Sequence, residues 1–234
     1  MMDERRWQKA IEQTFVVRLP KQHLATFGAT NIKYYVVTEP AFQEEIPETD
    51  EGVVRTGKVV AERPAIVTPN YLVNLEGFSS DAYEFFHDLA RMEGPNSPGI
   101  MYQYRNKPEN TEIVGGIPTE IAHRISKDLN ERKEELSVVM VGVDELWDVA
   151  LLKFIYEFTA SSVQSNVREF NSRGMLTPEP NFGGAPSAAT QQIDRLFREV
   201  ERGNRGGIDG LKQELDRWGL FDFYQDRFLN LFRG

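Results

Sequence analysis

Ser137-Val138-Val139-Met140-Val141-Gly142-Val143 is a short, nearly continuous apolar run, and Asp144-Glu145-Leu146-Trp147-Asp148 follows it directly. A run of this length without polar alternation fits a central strand covered on both faces. Beyond Asp144, the side chains of Leu146, Trp147, Val149, Leu151, Leu152, Phe154, Ile155 and Phe158 leave almost no polar face. A helix that is apolar nearly all round belongs in the middle of a structure. The pattern carries on past Ser161-Ser162 toward Phe170, and Gly174 supplies a left-handed stop.

Other strands gather around that core strand. Asn31–Thr38 is rich in β-branched and aromatic residues, which suit a pleated surface. Val53-Val54 and Val59-Val60 flank Thr56-Gly57, the pattern of a β-hairpin. Short strands are also expected at Ala65–Val67, Ile100–Arg105 and Thr111–Val114, and Phe15–Leu19 starts a strand or extends the preceding helix.

Helices are expected over Asp3–Thr14, from Ser79 or Ser80 to about Met92, and from Pro118 through Leu129. Lys21–Phe27 reads as a further helical turn, and Gln43–Glu51 as an acidic loop. Met175–Ser187 holds Pro178, Pro180, Gly183, Gly184 and Pro186 and reads as a linker. Helical segments over 188–202, 208–218 and 220–232 follow it. The expected fold is α+β, or a mixed-sheet α/β sandwich: a body over 1–174, the linker 175–187, and a helical C-terminal appendage over 188–234.

Composition narrows the function classes. The chain has 234 residues, 40% hydrophobic and 27% charged, which is the balance of a globular protein rather than a disordered one. With no cysteine, disulfides, thiolate nucleophiles and zinc–cysteine sites are excluded. A formal net charge of −9 argues against nucleic acid and anionic membranes as partners, because both reward a basic footprint. The N-terminus lacks the apolar core of a signal peptide, and the run Leu146–Phe158 is broken by charges and too short to span a bilayer. The expectation is a soluble, cytoplasmic protein.

Several motifs invite chemistry. Gly52-Val53-Val54-Arg55-Thr56-Gly57-Lys58-Val59 falls one residue short of a phosphate-binding loop, but Val59 occupies the position of the magnesium-binding hydroxyl. Glu84-x-x-His87 and Glu120-x-x-His123 repeat the pairing used in di-iron helix bundles. On a helical wheel, however, both pairs lie opposite their apolar faces, so they are expected in solvent, with no metal and no cofactor. Phe182–Ser187 could cradle an anion but lacks a following cation, and an interdomain linker with Ser187 as N-cap is favoured. Tyr102, Tyr104 and Arg105 alternate in the manner of a base-stacking face, although the acidic surroundings favour an ordinary sheet face.

Two sets of residues remain as candidates. Asp144 and Glu145 stand at the carboxyl end of the central strand, where ligands bind in open α/β sheets, with N-capping as the structural alternative. If Asp148 is buried, it needs a partner such as Arg105 or Arg124. In the last helix Phe221, Tyr224, Phe228 and Leu231 line one face with Phe232 at its flank, either docked on the chain's own body or offered to a protein partner or a second copy. The leading expectation is therefore a non-enzymatic interaction or regulatory module acting through these C-terminal aromatics. The alternative is a hydrolase or metal-assisted phosphate-chemistry enzyme using Asp144 and Glu145.

Overall fold

The computed structural model describes residues 2–41 and 50–232, with side chains from residue 5 onward. Most of the expected acidic loop at Gln43–Glu51 lies outside the described residues. In chain order the elements are α1 (Met2–Gln13), β1 (Phe15–Arg18), β2 (Thr30–Thr38), β3 (Glu51–Ala61), β4 (Ala65–Val67), α2 (Pro69–Val73) and α3 (Ser80–Glu93). They continue with β5 (Gly99–Met101), β6 (Tyr104–Gly115), α4 (Pro118–Glu131), β7 (Ser137–Gly142) and α5 (Trp147–Ser172). The chain ends with β8 (Pro178–Glu179), β9 (Ala185–Pro186), α6 (Ser187–Glu201), α7 (Ile208–Arg217) and α8 (Phe221–Asn230). It is an α+β protein, with a mixed five-stranded sheet and helices packed around it.

Two compact units divide the chain: Met1–Pro64 with Tyr102–Asn166, and Ala65–Met101 with Val167–Gly234. The first holds the five-stranded sheet, in the order β1-β7-β2-β3-β6. Strand β7 runs parallel to β2 and antiparallel to β1, so the apolar run Ser137–Gly142 is interior to the sheet. Its alternate side chains go to opposite faces, as the pleat dictates. Val138 and Met140 join Ile32, Tyr34 and Val36 of β2 under Ala150, Leu151, Phe154 and Phe158 of α5. Val139 and Val141 join Val37 and Val54 under Ile121, Ala122 and Leu129 of α4. A strand packed by helices on both faces has no polar side to show, which is why its sequence does not alternate.

Three expectations about this unit change. Residues 51–61 form one strand rather than a hairpin, because Val53-Val54 and Val59-Val60 pair with β2 on one side and β6 on the other. The Thr56-Gly57 step that suggested a turn lies opposite a β-bulge in β6, where Asn110 pairs with Thr56, Pro108 with Gly57, and Glu109 is the extra residue. Gly57 is required there: an added Cβ would lie 2.6 Å from the Lys107 carbonyl oxygen and 2.6 Å from Tyr34 Cζ. Residues 21–27 form no helical turn; Leu24 instead enters the core, and Asn166 Nδ2 donates to its carbonyl at 2.8 Å. On α1 the spacing of Trp7, Ala10 and Ile11 predicts one apolar face, yet only Ala10 is buried, while Trp7 and Ile11 are exposed.

The second unit is built on α6, α7 and α8, whose Ile193, Phe197, Leu211, Leu215, Tyr224 and Phe228 share one core. Residues 65–101 belong to it as well, through the β4–β5 ladder and helices α2 and α3. Helix α2 is capped by Thr68, whose hydroxyl accepts from Tyr71 N at 3.2 Å, and Tyr71 lies 4.6 Å from Trp218. The stretch expected as a linker is structured: β8 pairs with β9, and Ala185 is buried in the helical core. Ser187 does not cap α6; its hydroxyl donates to the Gly174 carbonyl at 3.1 Å. Among the described residues no helix is long and apolar enough to cross a membrane.

Candidate functional site

Strands β2 and β7 end side by side, with Thr38 paired to Gly142. Adjacent carboxyl ends of parallel strands are where α/β sheets place ligands. A single 3-10 turn, Asp144–Leu146, follows β7 and leads into α5. Asp144 does not act as a helix cap, since the capping position is Val143 and carries no side-chain bond. Its Oδ1 accepts from Thr38 Oγ1 at 2.6 Å and from Arg55 Nη1 at 2.6 Å. Arg55 Nη1 also reaches Thr38 Oγ1 at 3.0 Å, closing a triangle. The Arg55 and Asp144 side chains are each only 18% exposed.

Burial by itself would push the Asp144 carboxyl up, but the Arg55 and Thr38 hydrogen bonds and the Arg55 charge hold it below the usual carboxylate range. Asp144 is therefore a fixed anion that orients Arg55, and a poor proton acceptor.

A cavity of about 300 Å³ opens beside this triangle, lined in part by Tyr34, Arg55, Pro108, Thr111 and Trp147. Trp147 is the first residue of α5, and its indole stacks towards Tyr34 at 6.2 Å and 28°. The Arg55 guanidinium carbon lies 5.9 Å from the same indole. Tyr34 is fully buried, and its ring fits the notch left by Gly57, whose strand partner is Pro108. The Tyr34 hydroxyl has no hydrogen-bond partner of ordinary geometry among the described residues. Burial raises its pKa, and the nearby Asn106 side chain holds back part of that rise. At the rim, Lys58 Nζ and Glu109 Oε1 pair at 2.7 Å, and this hydrogen bond keeps the Glu109 carboxyl below its ordinary value.

The structure separates the two acids expected to work together. Glu145 is exposed and pairs with Arg6, and neither it nor Asp144 lines the cavity. Asp148 is exposed, so it needs no buried partner. The near phosphate-loop sequence is a strand rather than a loop between strand and helix. Glu84, His87, Glu120 and His123 are all exposed, and the described residues contain no group of three or more acids and histidines able to hold a metal. Tyr102 and Tyr104 turn inward, Tyr102 donating to Asn166 Oδ1 at 2.8 Å and Tyr104 bonding Thr159, so they present no base-stacking face. Thr38, Arg55, Tyr34 and Trp147 were not foreseen as a set. The one available signal was Arg55 itself, a charge within an apolar strand sequence that must find a partner when buried.

In the second unit the C-terminal aromatics divide. Tyr224 and Phe228 are buried in their own core, Phe221 and Leu231 pack against it, and Phe232 is exposed, as are Phe223 and Leu229. Exposed apolar side chains also gather on and beside α3, which has no buried residue along its length. Phe85 is 64% exposed, Met92 80% and Phe78 52%. Phe86 meets the Phe78 and Phe85 rings edge-on, at 6.3 and 5.6 Å. Glu76, Asp81, Glu84, Asp88 and Glu93 are exposed around this cluster, against one arginine, Arg91, which pairs with Asp88 at 3.1 Å.

The fold defines the class, a mixed-sheet α+β protein. Comparison with protein families, curated proteins and solved structures gives no match.

Proposed function

We propose that the protein is a non-enzymatic interaction module, and that its docking surface is the aromatic face of α3. The observation that carries this reading is a 14-residue helix on which no residue is buried and Phe85 and Met92 face solvent. Contiguous apolar surface of this kind is uncommon on a monomer and marks a binding face. Five carboxylates around it, against one arginine, select a partner of opposite sign: a basic amphipathic helix that lays its apolar stripe on Phe78, Phe85 and Met92. Of the expected C-terminal surface only Phe232 is exposed, with Phe223 and Leu229 exposed nearby in sequence.

Titration calorimetry with a lysine-rich amphipathic model peptide and an acidic peptide of the same apolar pattern tests the proposal. The basic peptide should bind, weaken with added salt, and be lost in a Phe85→Ser/Met92→Ser variant that keeps its helical circular dichroism. Binding that ignores the double substitution, or that does not distinguish the two peptides, would overturn it. The competing reading, hydrolysis or phosphate chemistry by Asp144 and Glu145, asks for acids that converge on a cavity. Asp144 is instead committed to Arg55 and Thr38, and Glu145 stands beside Arg6.

A further inference from the structure

We propose that the cavity between strand β3, the bulge of β6 and the start of α5 binds a small planar aromatic monocarboxylate. This inference concerns the first unit alone and is independent of the α3 reading. Three features of the cavity select the ligand. The Trp147 indole and the Pro108 ring supply flat apolar walls backed by Tyr34, and the rest of the lining beside Arg55 is polar: Thr56, Asn110, Thr111 and Glu109, whose carboxylate is paired with Lys58. Stacking on such walls favours an aromatic ring over an aliphatic chain. A volume of about 300 Å³ is at the lower end for small-molecule sites, and admits one or two fused rings.

The polar end is set by Arg55. Its Nη1 is committed to Asp144 and Thr38, and among the described residues its Nε and Nη2 make no hydrogen bond. That remaining edge is a two-donor fork, the geometry that takes a carboxylate through two parallel hydrogen bonds. Because the side chain is mostly desolvated, those donors gain more from an anion than they would in water. Asp144, 2.6 Å from the guanidinium, limits the charge the site tolerates. Because Arg55 and Asp144 already cancel in charge, the site offers directed donors rather than net positive charge, and a dianionic phosphate adds twice the uncompensated charge of a monocarboxylate.

Calorimetric titration of the full chain with 2-naphthoate, 2-naphthamide and 2-naphthyl phosphate tests the assignment. The naphthoate should bind saturably at one site, with the amide and the phosphate ester each weaker by about tenfold or more. Trp147→Ala should weaken naphthoate by about tenfold through loss of the stacking wall. Arg55→Lys keeps the charge beside Asp144 but removes the fork, and should bring naphthoate down to the level of the amide. Should Trp147→Ala fail to fold, Arg55→Lys decides the question alone. The proposal is overturned if the folded wild type shows no saturable binding, if the amide or phosphate ester matches the carboxylate, or if folded variants bind as the wild type does.

Discussion

Replacing Gly57 with alanine tests the packing on which the candidate cavity depends. An ideal Cβ at this position would sit 2.6 Å from the Lys107 carbonyl oxygen and 2.6 Å from Tyr34 Cζ, and would also strike the Tyr34 hydroxyl. Neither neighbour can give way cheaply. The Lys107 carbonyl belongs to the backbone of β6, paired opposite Lys58, and Tyr34 is fully buried against Trp147. Overpacking of this kind costs about 1–3 kcal/mol, and contact with two unyielding groups places Gly57→Ala near the top of that range. For a chain of this length such a loss lowers the melting temperature by roughly 5 °C or more.

Thermal unfolding followed by far-ultraviolet circular dichroism measures it, with Tyr34→Phe and the double variant as controls. Tyr34→Phe alone should be within about 0.5 kcal/mol of the wild type, since the hydroxyl it removes makes no hydrogen bond of ordinary geometry. In the Gly57→Ala background it should recover only part of the loss, because the Cζ and Lys107 contacts remain. A Gly57→Ala protein melting within 1 °C of the wild type, or fully rescued by Tyr34→Phe, would refute the packing argument, 1 °C being about the precision needed to resolve a few tenths of a kcal/mol.

Asp144→Asn should cost about 1 kcal/mol at neutral pH, as the part-buried Arg55 loses its anion. Because the folded-state pKa of Asp144 is depressed, its contribution is present above the unfolded-state pKa and is lost as pH falls through the folded value. The stability gap between wild type and Asp144→Asn should therefore close on acidification, and urea midpoints showing a gap independent of pH would contradict the assignment. Arg18→Met should destabilise by about 2–4 kcal/mol, because the buried guanidinium donates to the Ser137 carbonyl at 2.5 Å, the Ser137 hydroxyl at 2.6 Å and the Glu134 carbonyl, and methionine leaves the last two only their longer mutual bond at 3.5 Å. A urea midpoint unchanged by this substitution would count against that role. Gly210→Ala, in the first turn of α7 with nothing within 4 Å of the added Cβ, should instead stabilise by about 0.5 kcal/mol in the same assay. A loss of stability there would show that the position is more crowded than its geometry states.

The sequence by itself determined the interior strand, the helix that covers it and the solvent exposure of both Glu-x-x-His pairs. Each of these is a local pattern: an unbroken apolar run, a helix apolar almost all round, and residue pairs set against their own apolar stripes, although Leu152 and Tyr156 of that helix face solvent rather than the middle of the structure. It also located α6, α7 and α8 to within a residue or two, since glycines punctuate them. Tertiary structure decided everything that depends on which segments become neighbours. Thr56-Gly57 has the composition of a turn, and only pairing with β2 on one side and β6 on the other makes it part of a continuous strand, opposite a bulge at Glu109. Residues 65–101 join the C-terminal helices across a long separation in sequence that no periodicity encodes. The Asp144–Arg55–Thr38 triangle is of the same kind, its members 17 and 106 residues from Thr38 in opposite regimes of separation. Asp144 was visible as an acid after a strand, but whether it would cap a helix, act as a base or hold an arginine was fixed by the register that sets Thr38 beside Gly142 and Arg55 beside Val36. A carboxylate's chemistry follows from the charges and donors within a few ångströms of it, and those are assigned by the fold rather than by its neighbours in the chain.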